Sequence, residues 1–291
     1  MISGSIVALV TPMLATGEVA WPELDALIDW HIAAGTTAIV PVGTTGESAT
    51  LAVNEHLQVI EATVARVAGR VPVIAGTGAN STAEAIHQTQ EAQRLGADAC
   101  LLVTPYYNRP TQAGLIAHYK AIAAASDGPL VLYNVPPRTA CDMTANTVAE
   151  LARIDAIVGI KEACGDPLRV GDIRALVDDD FIVLSGEDAQ TLQMMELGAV
   201  GTISVSANVI PDLMANFIDA CIKGDMTAAK ELDAKLQIVH AAMFVESSPT
   251  PVKWALHQMG RISEGIRLPL LPLTQARHSA VREALAAVDA V

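Results

Sequence analysis

One unit repeats along this sequence: a short, almost uniformly apolar run, followed by a stretch with the three-and-four spacing of an amphipathic helix. The runs are Ser5–Leu9, Ala38–Val42, Val71–Ala75, Ala99–Val103, Leu130–Tyr133, Ile157–Ile160, Phe181–Leu184 and Gly201–Ser204. They start 20–33 residues apart, about the length of a strand–helix unit. Being apolar on both sides, several of them suit strands covered on both faces. Helical patterns fill the gaps, for example Glu23–Ala34, Asn54–Val67, Thr82–Leu95 and Gln112–Ala125. Ala34-Gly35-Thr36, Leu95-Gly96-Ala97 and Leu197-Gly198-Ala199 each put glycine where a helix ends and a left-handed residue is needed. Eight such units predict an α/β fold, a (β/α)8 barrel. A doubly wound sheet would more often show five or six strands.

The strand signal stops near Asp225. Residues 225–291 read as helices, interrupted by the proline-rich Leu268–Thr274. The expected organisation is therefore a barrel over residues 1–224 and a C-terminal helical region over 225–291. A chain of 291 residues is long enough for this.

Composition removes several classes of function. Hydrophobic residues make up 51 % of the chain, yet its apolar runs are short and broken by Gly, Pro or charge, so no membrane span is expected. The first residues lack the basic start and long apolar stretch of a signal peptide, and a cytoplasmic location is expected. A net charge of −14 argues against nucleic acid as a partner. Cys100, Cys141, Cys164 and Cys221 are far apart and form no paired motif, which suggests free thiols. Neither a metal nor a cofactor is expected, because no His pair, P-loop or complete dinucleotide fingerprint occurs.

Barrel enzymes work at the C-terminal ends of their strands, so the residues there carry the argument. Gly43-Thr44-Thr45-Gly46-Glu47 follows the second run and can aim amides and hydroxyls at a carboxylate, or be an ordinary tight turn. The chain has four tyrosines, and three of them, Tyr106, Tyr107 and Tyr133, fall at predicted strand ends. A tyrosine there can relay protons. Arg138 offers a planar fork for a substrate carboxylate, or forms a surface ion pair. Gly186 leaves room for a ligand beside the backbone.

Lys161 follows the apolar Ala156–Ile160. A lysine is rarely set at the end of a core strand. The mouth of a barrel strips water from an amine and favours the free nucleophile that forms a Schiff base with a keto acid. The competing reading is a buried structural ion pair. The first reading makes the chain a class I aldolase-type lyase.

Gly43-Thr-Thr-Gly-Glu47, Tyr133-Asn-Val-Pro136 and Gly159-Ile-Lys-Glu162, with Gly4–Ala8, Val73–Asn80 and Val252-Lys253-Trp254, resemble the dihydrodipicolinate synthase / N-acetylneuraminate lyase superfamily over nearly the whole chain. The resemblance implies that Lys161 forms an imine with pyruvate and that the derived enamine attacks L-aspartate 4-semialdehyde. It further implies a proton relay of Tyr133, Thr44 and Tyr107, with Tyr107 entering the site of a neighbouring subunit. Thr45, Gly186 and Ile203 would hold pyruvate, and Arg138 the carboxylate of the semialdehyde. A homotetramer built as a dimer of dimers is implied as well. Ala49, His56, Asn80, Glu84 and Tyr106 match positions that bind L-lysine in feedback-sensitive members, with Glu84 on the ammonium end. Val53 stands where such members often carry histidine. Glu246-Ser247-Ser248-Pro249 departs from the asparagine that commonly precedes this proline, with no effect expected on the chemistry.

Two other readings compete. One is a Schiff-base pyruvate aldolase or lyase of the same superfamily acting on a sugar acid; such lyases usually lack an arginine at the position of Arg138. The other is a non-catalytic lysine sensor, against which the intact Lys161, Tyr133 and Thr44 argue.

Overall fold

The computed structural model describes residues 2–290. Its strands are β1 (Gly4–Ala8), β2 (Ala38–Val40), β3 (Ile74–Gly76), β4 (Ala99–Val103), β5 (Leu130–Asn134), β6 (Ile157–Glu162), β7 (Ile182–Ser185) and β8 (Gly201–Ser204). All neighbouring pairs are parallel, in the order β2-β1-β8-β7-β6-β5-β4-β3. An isolated parallel bridge, Ile39 to Val73, joins the two ends of that order. Ile39 N donates to Pro72 O at 3.0 Å, and Gly76 N to Pro41 O at 3.1 Å. The result is the expected (β/α)8 barrel.

Helices fill the connections: α1 (Trp21–Ala33), α2 (Val53–Val67), α3 (Thr82–Arg94), α4 (Gln112–Ala124), α5 (Pro136–Thr139), α6 (Ala145–Leu151), α7 (Leu168–Arg174), α8 (Thr191–Glu196) and α9 (Pro211–Lys223). Local chemistry sets their ends. Ser81, Thr111 and Thr144 accept hydrogen bonds from first-turn amides of α3, α4 and α6. Gly35, Gly96 and Gly198 adopt φ of +92°, +94° and +106° just past α1, α3 and α8, as their sequence context predicted. Three more helices follow: α10 (Met226–Ala242), α11 (Thr250–Gln258) and α12 (His278–Ala286). Helix α10 packs on α9 and α12.

Several strand limits differ from those read in the sequence. β2 stops at Val40 because Pro41 has no N–H to give the ladder and Val42 turns to φ 47°. β3 starts late: Val73 N is taken by the Asp98 carboxylate at 2.8 Å. β5 and β6 run further than expected, so that Lys161 and Glu162 lie within β6 rather than after it.

The core has two compartments. Alternate strand residues, among them Ile6, Val40, Leu101, Val131, Leu184 and Ile203, fill the barrel interior. Their neighbours Val7, Ile39, Leu102, Leu132 and Val183 join the larger core under the helices. Leu236, Val239, Val252 and Trp254 of α10 and α11 belong to that outer core too. This two-residue period decides which strand-end side chains face the lumen.

Candidate active site

Tyr133 of β5 and Lys161 of β6 occupy one rung of the sheet. Both face the lumen, with 7 % and 5 % of their surface exposed. Lys161 Nζ lies 4.3 Å from the centroid of the Tyr133 ring. Among the described residues no carboxylate is within ion-pair distance of Lys161. The buried ion pair of this barrel belongs to Lys253, which donates to Glu47. Lys161 is thus a lysine enclosed by strands, next to an aromatic face and free of a carboxylate partner, which leaves its amine available to a carbonyl carbon.

Gly186, just past β7, packs against this lysine. A Cβ there would stand 2.9 Å from Lys161 Cε, 2.7 Å from Ala163 Cβ and 3.0 Å from Glu162 O. Real Cβ atoms do not approach so closely, so the glycine lets the lysine stem cross the strand end. Ile203 of β8 is buried on the lumen side at 1 % exposure.

The Gly43–Glu47 turn follows β2, with Thr45 buried and Thr44 half-buried. Glu47 holds the turn in place. It sits at φ 57° and accepts from Lys253 Nζ of α11 and from Arg267 N at 3.1 Å. Lys253 also donates to Thr11 O at 3.0 Å. Arg267 grips Glu55 with both guanidinium nitrogens, each at 2.6 Å, and so holds its carboxyl below the usual range. Sequence reasoning quoted Lys253 and Glu47 without giving them a role. A lysine inside the apolar Val252–Leu256 stretch was the available signal.

Thr44 also lines a cavity of about 330 Å³, together with Val135 and Arg138. Ala49, His56, Glu84 and Tyr106 line the same cavity. The structure therefore brings together four of the five residues assigned to a lysine pocket. Asn80, the fifth, is not in the lining; its Nδ2 donates to Tyr106 O at 3.2 Å. Val53, Ser48 and Gln88 join the lining. Glu84 accepts from Gln88 at 3.0 Å. His56 donates or accepts through Nε2 at Gly76 O, 2.8 Å away; the carbonyl can only accept, which makes His56 the donor. Burial keeps its imidazole below the ordinary range and raises the Tyr106 phenol.

Arg138 is exposed and forms no ion pair among the described residues. Its guanidinium donates to Ser248 O at 3.3 Å. The Glu246–Pro249 segment thus meets Arg138 through a backbone carbonyl, which any residue type supplies. Glu187 stands near both cations: burial and the Asp188 charge raise its carboxyl, while Lys161 and Arg138 pull it down.

Tyr107 is not part of the interior. Its surface is 91 % exposed, and its backbone holds φ 72°. Asn108 N donates to Tyr106 O at 2.9 Å, and Asn108 Nδ2 to Asn80 O at 2.8 Å, so the loop is pinned on both sides of the exposed ring.

No helix among the described residues is long and apolar enough to cross a membrane. The sequence model of the dihydrodipicolinate synthetase family matches residues 1–288. The 4-hydroxy-tetrahydrodipicolinate synthase of Pseudomonas savastanoi pv. phaseolicola is 56 % identical over 285 residues, covering 98 % of each chain. That of Pseudomonas aeruginosa is 54 % identical with the same coverage. Among solved structures, the chloride-inhibited dihydrodipicolinate synthase from Acinetobacter baumannii complexed with pyruvate superposes with a TM-score of 0.98, at 51 % identity and full coverage of both chains. The enzyme from Cyanidioschyzon merolae with lysine bound gives 0.96, at 38 % identity and 99 % coverage of each chain.

Proposed function

The chain belongs to the dihydrodipicolinate synthetase family, and from that premise we propose that it condenses pyruvate with L-aspartate 4-semialdehyde to give 4-hydroxy-tetrahydrodipicolinate. It is a lyase of diaminopimelate and lysine biosynthesis. One observation carries the mechanism: Lys161 is enclosed in the barrel over the Tyr133 ring without a carboxylate partner.

The amine of Lys161 attacks the keto carbon of pyruvate, and loss of water gives the imine. Loss of a methyl proton turns the imine into an enamine, whose carbon attacks the aldehyde. The amino group of the adduct then closes the ring and releases Lys161. Each step moves a proton, and Tyr133, Thr44 and Tyr107 form the relay that carries them. Thr45, Gly186 and Ile203 hold pyruvate. Arg138, exposed at the rim and unpaired among the described residues, takes the carboxylate of the semialdehyde. This last contact favours the semialdehyde over a sugar acid.

The protein works as a homotetramer, a dimer of dimers, in the cytoplasm. A pinned, strained and almost fully exposed Tyr107 supports a role in a neighbouring subunit's site. The cavity beneath Tyr106 binds L-lysine as a feedback inhibitor, with Glu84 on its ammonium; a lysine-bound relative of the same fold supports this.

The test is to incubate the protein with pyruvate, reduce with borohydride and locate the added mass. The adduct is expected on Lys161, and its absence there rejects the covalent mechanism. Turnover with L-aspartate 4-semialdehyde, set beside sialic acid, then separates the two substrate classes. An unchanged rate in millimolar lysine would remove the feedback assignment.

A further inference from the structure

The last two rungs joining β5 to β6 pair Tyr133 with Lys161 and Asn134 with Glu162. Alternation turns the first pair into the lumen and the second pair outward, under the helices. Asn134 and Glu162 are both fully buried, at 0 % exposure. The outward positions just before them, Leu132 and Ile160, are aliphatic. A carboxylate in such a place is destabilising unless its oxygens are hydrogen-bonded. No cation forms an ion pair with Glu162 among the described residues; Arg169, whose charge acts on it, is engaged by Asp142 at 3.1 Å.

Hydrogen bonds hold Glu162 instead, from Asn134 at the end of β5 and from the amide just past β6. Asn134 Nδ2 donates to Oε1 and Oε2 at 3.0 and 3.2 Å. Cys164 N donates to Oε1 at 2.8 Å. Asn134 is fixed from its other side, since Oδ1 accepts from Met143 N at 2.9 Å and Nδ2 meets Asp142 at 2.9 Å. The backbone continues the lock: Ala163 N donates to Asn134 O at 2.9 Å, and Gly186 N to Glu162 O at 2.7 Å.

We propose that Glu162 is a positioning residue for the condensation: through Asn134 and the Cys164 amide it clamps the ends of β5 and β6 and thereby sets Lys161 Nζ over the Tyr133 ring. The inference rests on the reading of Lys161 as the imine-forming lysine and Tyr133 as its proton carrier. Glu162 touches no substrate. An aliphatic residue would fill the same space but would let the two strand ends shift. A displacement near 1 Å between a nucleophile and its proton carrier can lower a rate by about a hundredfold.

Glu162→Gln keeps the volume; with its oxygen on the Cys164 amide it sets N–H2 against Asn134 Nδ2 where Oε2 accepts at 3.2 Å. Asn134→Ser removes the clamp from the other strand. For both variants and their double, kcat and KM for each substrate are measured, with borohydride trapping in pyruvate alone and thermal melting beside them. The expected result is an adduct on Lys161, KM for pyruvate within about threefold, and kcat lower by about tenfold or more. The double variant should be no slower than the worse single, because both act through one contact. If Glu162→Gln does not fold, Asn134→Ser carries the same test. Turnover within twofold of wild type, loss spread equally over kcat and KM, or additive single effects would overturn the inference while leaving the Schiff-base reading intact. A wild-type protein that traps no pyruvate overturns both.

Discussion

Lys253 and Glu47 stand 206 residues apart in sequence and form one buried ion pair, with side chains 4 % and 2 % exposed. The pair ties helix α11 to the turn that presents Thr44 and Thr45 after β2. Burial pulls the Lys253 ammonium below its ordinary range, and the Glu47 carboxylate opposes that loss. The C-terminal helices therefore set the shape of a loop at the barrel mouth.

Removing one partner alone leaves a buried charge without compensation. Lys253→Met should destabilise the fold by about 3–5 kcal/mol. The double variant Lys253→Met/Glu47→Gln should recover much of that loss, though Arg267 N keeps its bond only to a neutral amide oxygen. Chemical unfolding of the two variants beside wild type checks this. A single variant as stable as wild type would show that the pair is not buried in solution.

Gly186→Ala tests the crossing of the Lys161 stem. The added methyl would have to sit 2.9 Å from Lys161 Cε and 2.7 Å from Ala163 Cβ. A lysine stem can swing aside, but the Ala163 backbone cannot, so the nucleophile moves. Activity should fall by about a hundredfold, and the melting temperature should fall with it while the protein stays folded at the assay temperature. Steady-state kinetics and a melting curve on the same preparation give the answer; full activity would mean that the mouth is looser than its packing implies.

Tyr107 allows a complementation test. As a nearly fully exposed side chain it should contribute within about 0.5 kcal/mol to the stability of its own subunit. Tyr107→Phe and Lys161→Ala should each be close to inactive. Co-expressed, they form mixed pairs in which one site has an intact lysine and the partner's intact tyrosine. About a quarter of wild-type activity should return for random pairing of equal amounts. Recovery of none would assign Tyr107 to the site of its own chain, and a fully active Tyr107→Phe to no site at all.

The barrel was legible because its period is a property of the chain: apolar runs at steady intervals fix strand number whatever their exact limits. Lys161 and Tyr133 were legible for the same reason, as polar groups at the ends of apolar runs. Their neighbours were not. The apolar run ended at Ile160 in the sequence and left Glu162 beyond it, whereas the strand continues through Glu162 and buries it. Contacts closed by folding left no local pattern either. Asn208 donates to Ala8 O at 2.8 Å and accepts from Val10 N at 3.0 Å across some 200 residues. Asp188 accepts from Val205 N and Ser206 N after β8 in the same way. Pro41 and Val42 shortened β2 through a missing donor and a left-handed turn, which hydrophobicity alone does not register.

The burial of Glu162 has a consequence for stability against pH. Desolvation pushes its carboxyl from 4.5 up to about 7, against the pull of Asn134, Arg169 and the Cys164 amide. The folded protein then holds this proton more tightly than the unfolded chain does. Between pH 4.5 and about 7 the folded form binds more protons, so this group's contribution falls as pH rises and is gone above about 7. The whole effect is about 3 kcal/mol. His31 and His118 act in the opposite sense: burial lowers them from 6.5 to about 3 and about 4, so their contribution is lost as pH falls below 6.5. The total curve therefore mixes signs, and the informative quantity is the difference between wild type and Glu162→Gln. Wild type should gain stability relative to the variant by about 3 kcal/mol when pH is lowered from 8 to 5. A constant difference across that range, measured by urea unfolding, would mean that Glu162 stays ionised in the folded protein and is held by its three hydrogen bonds alone.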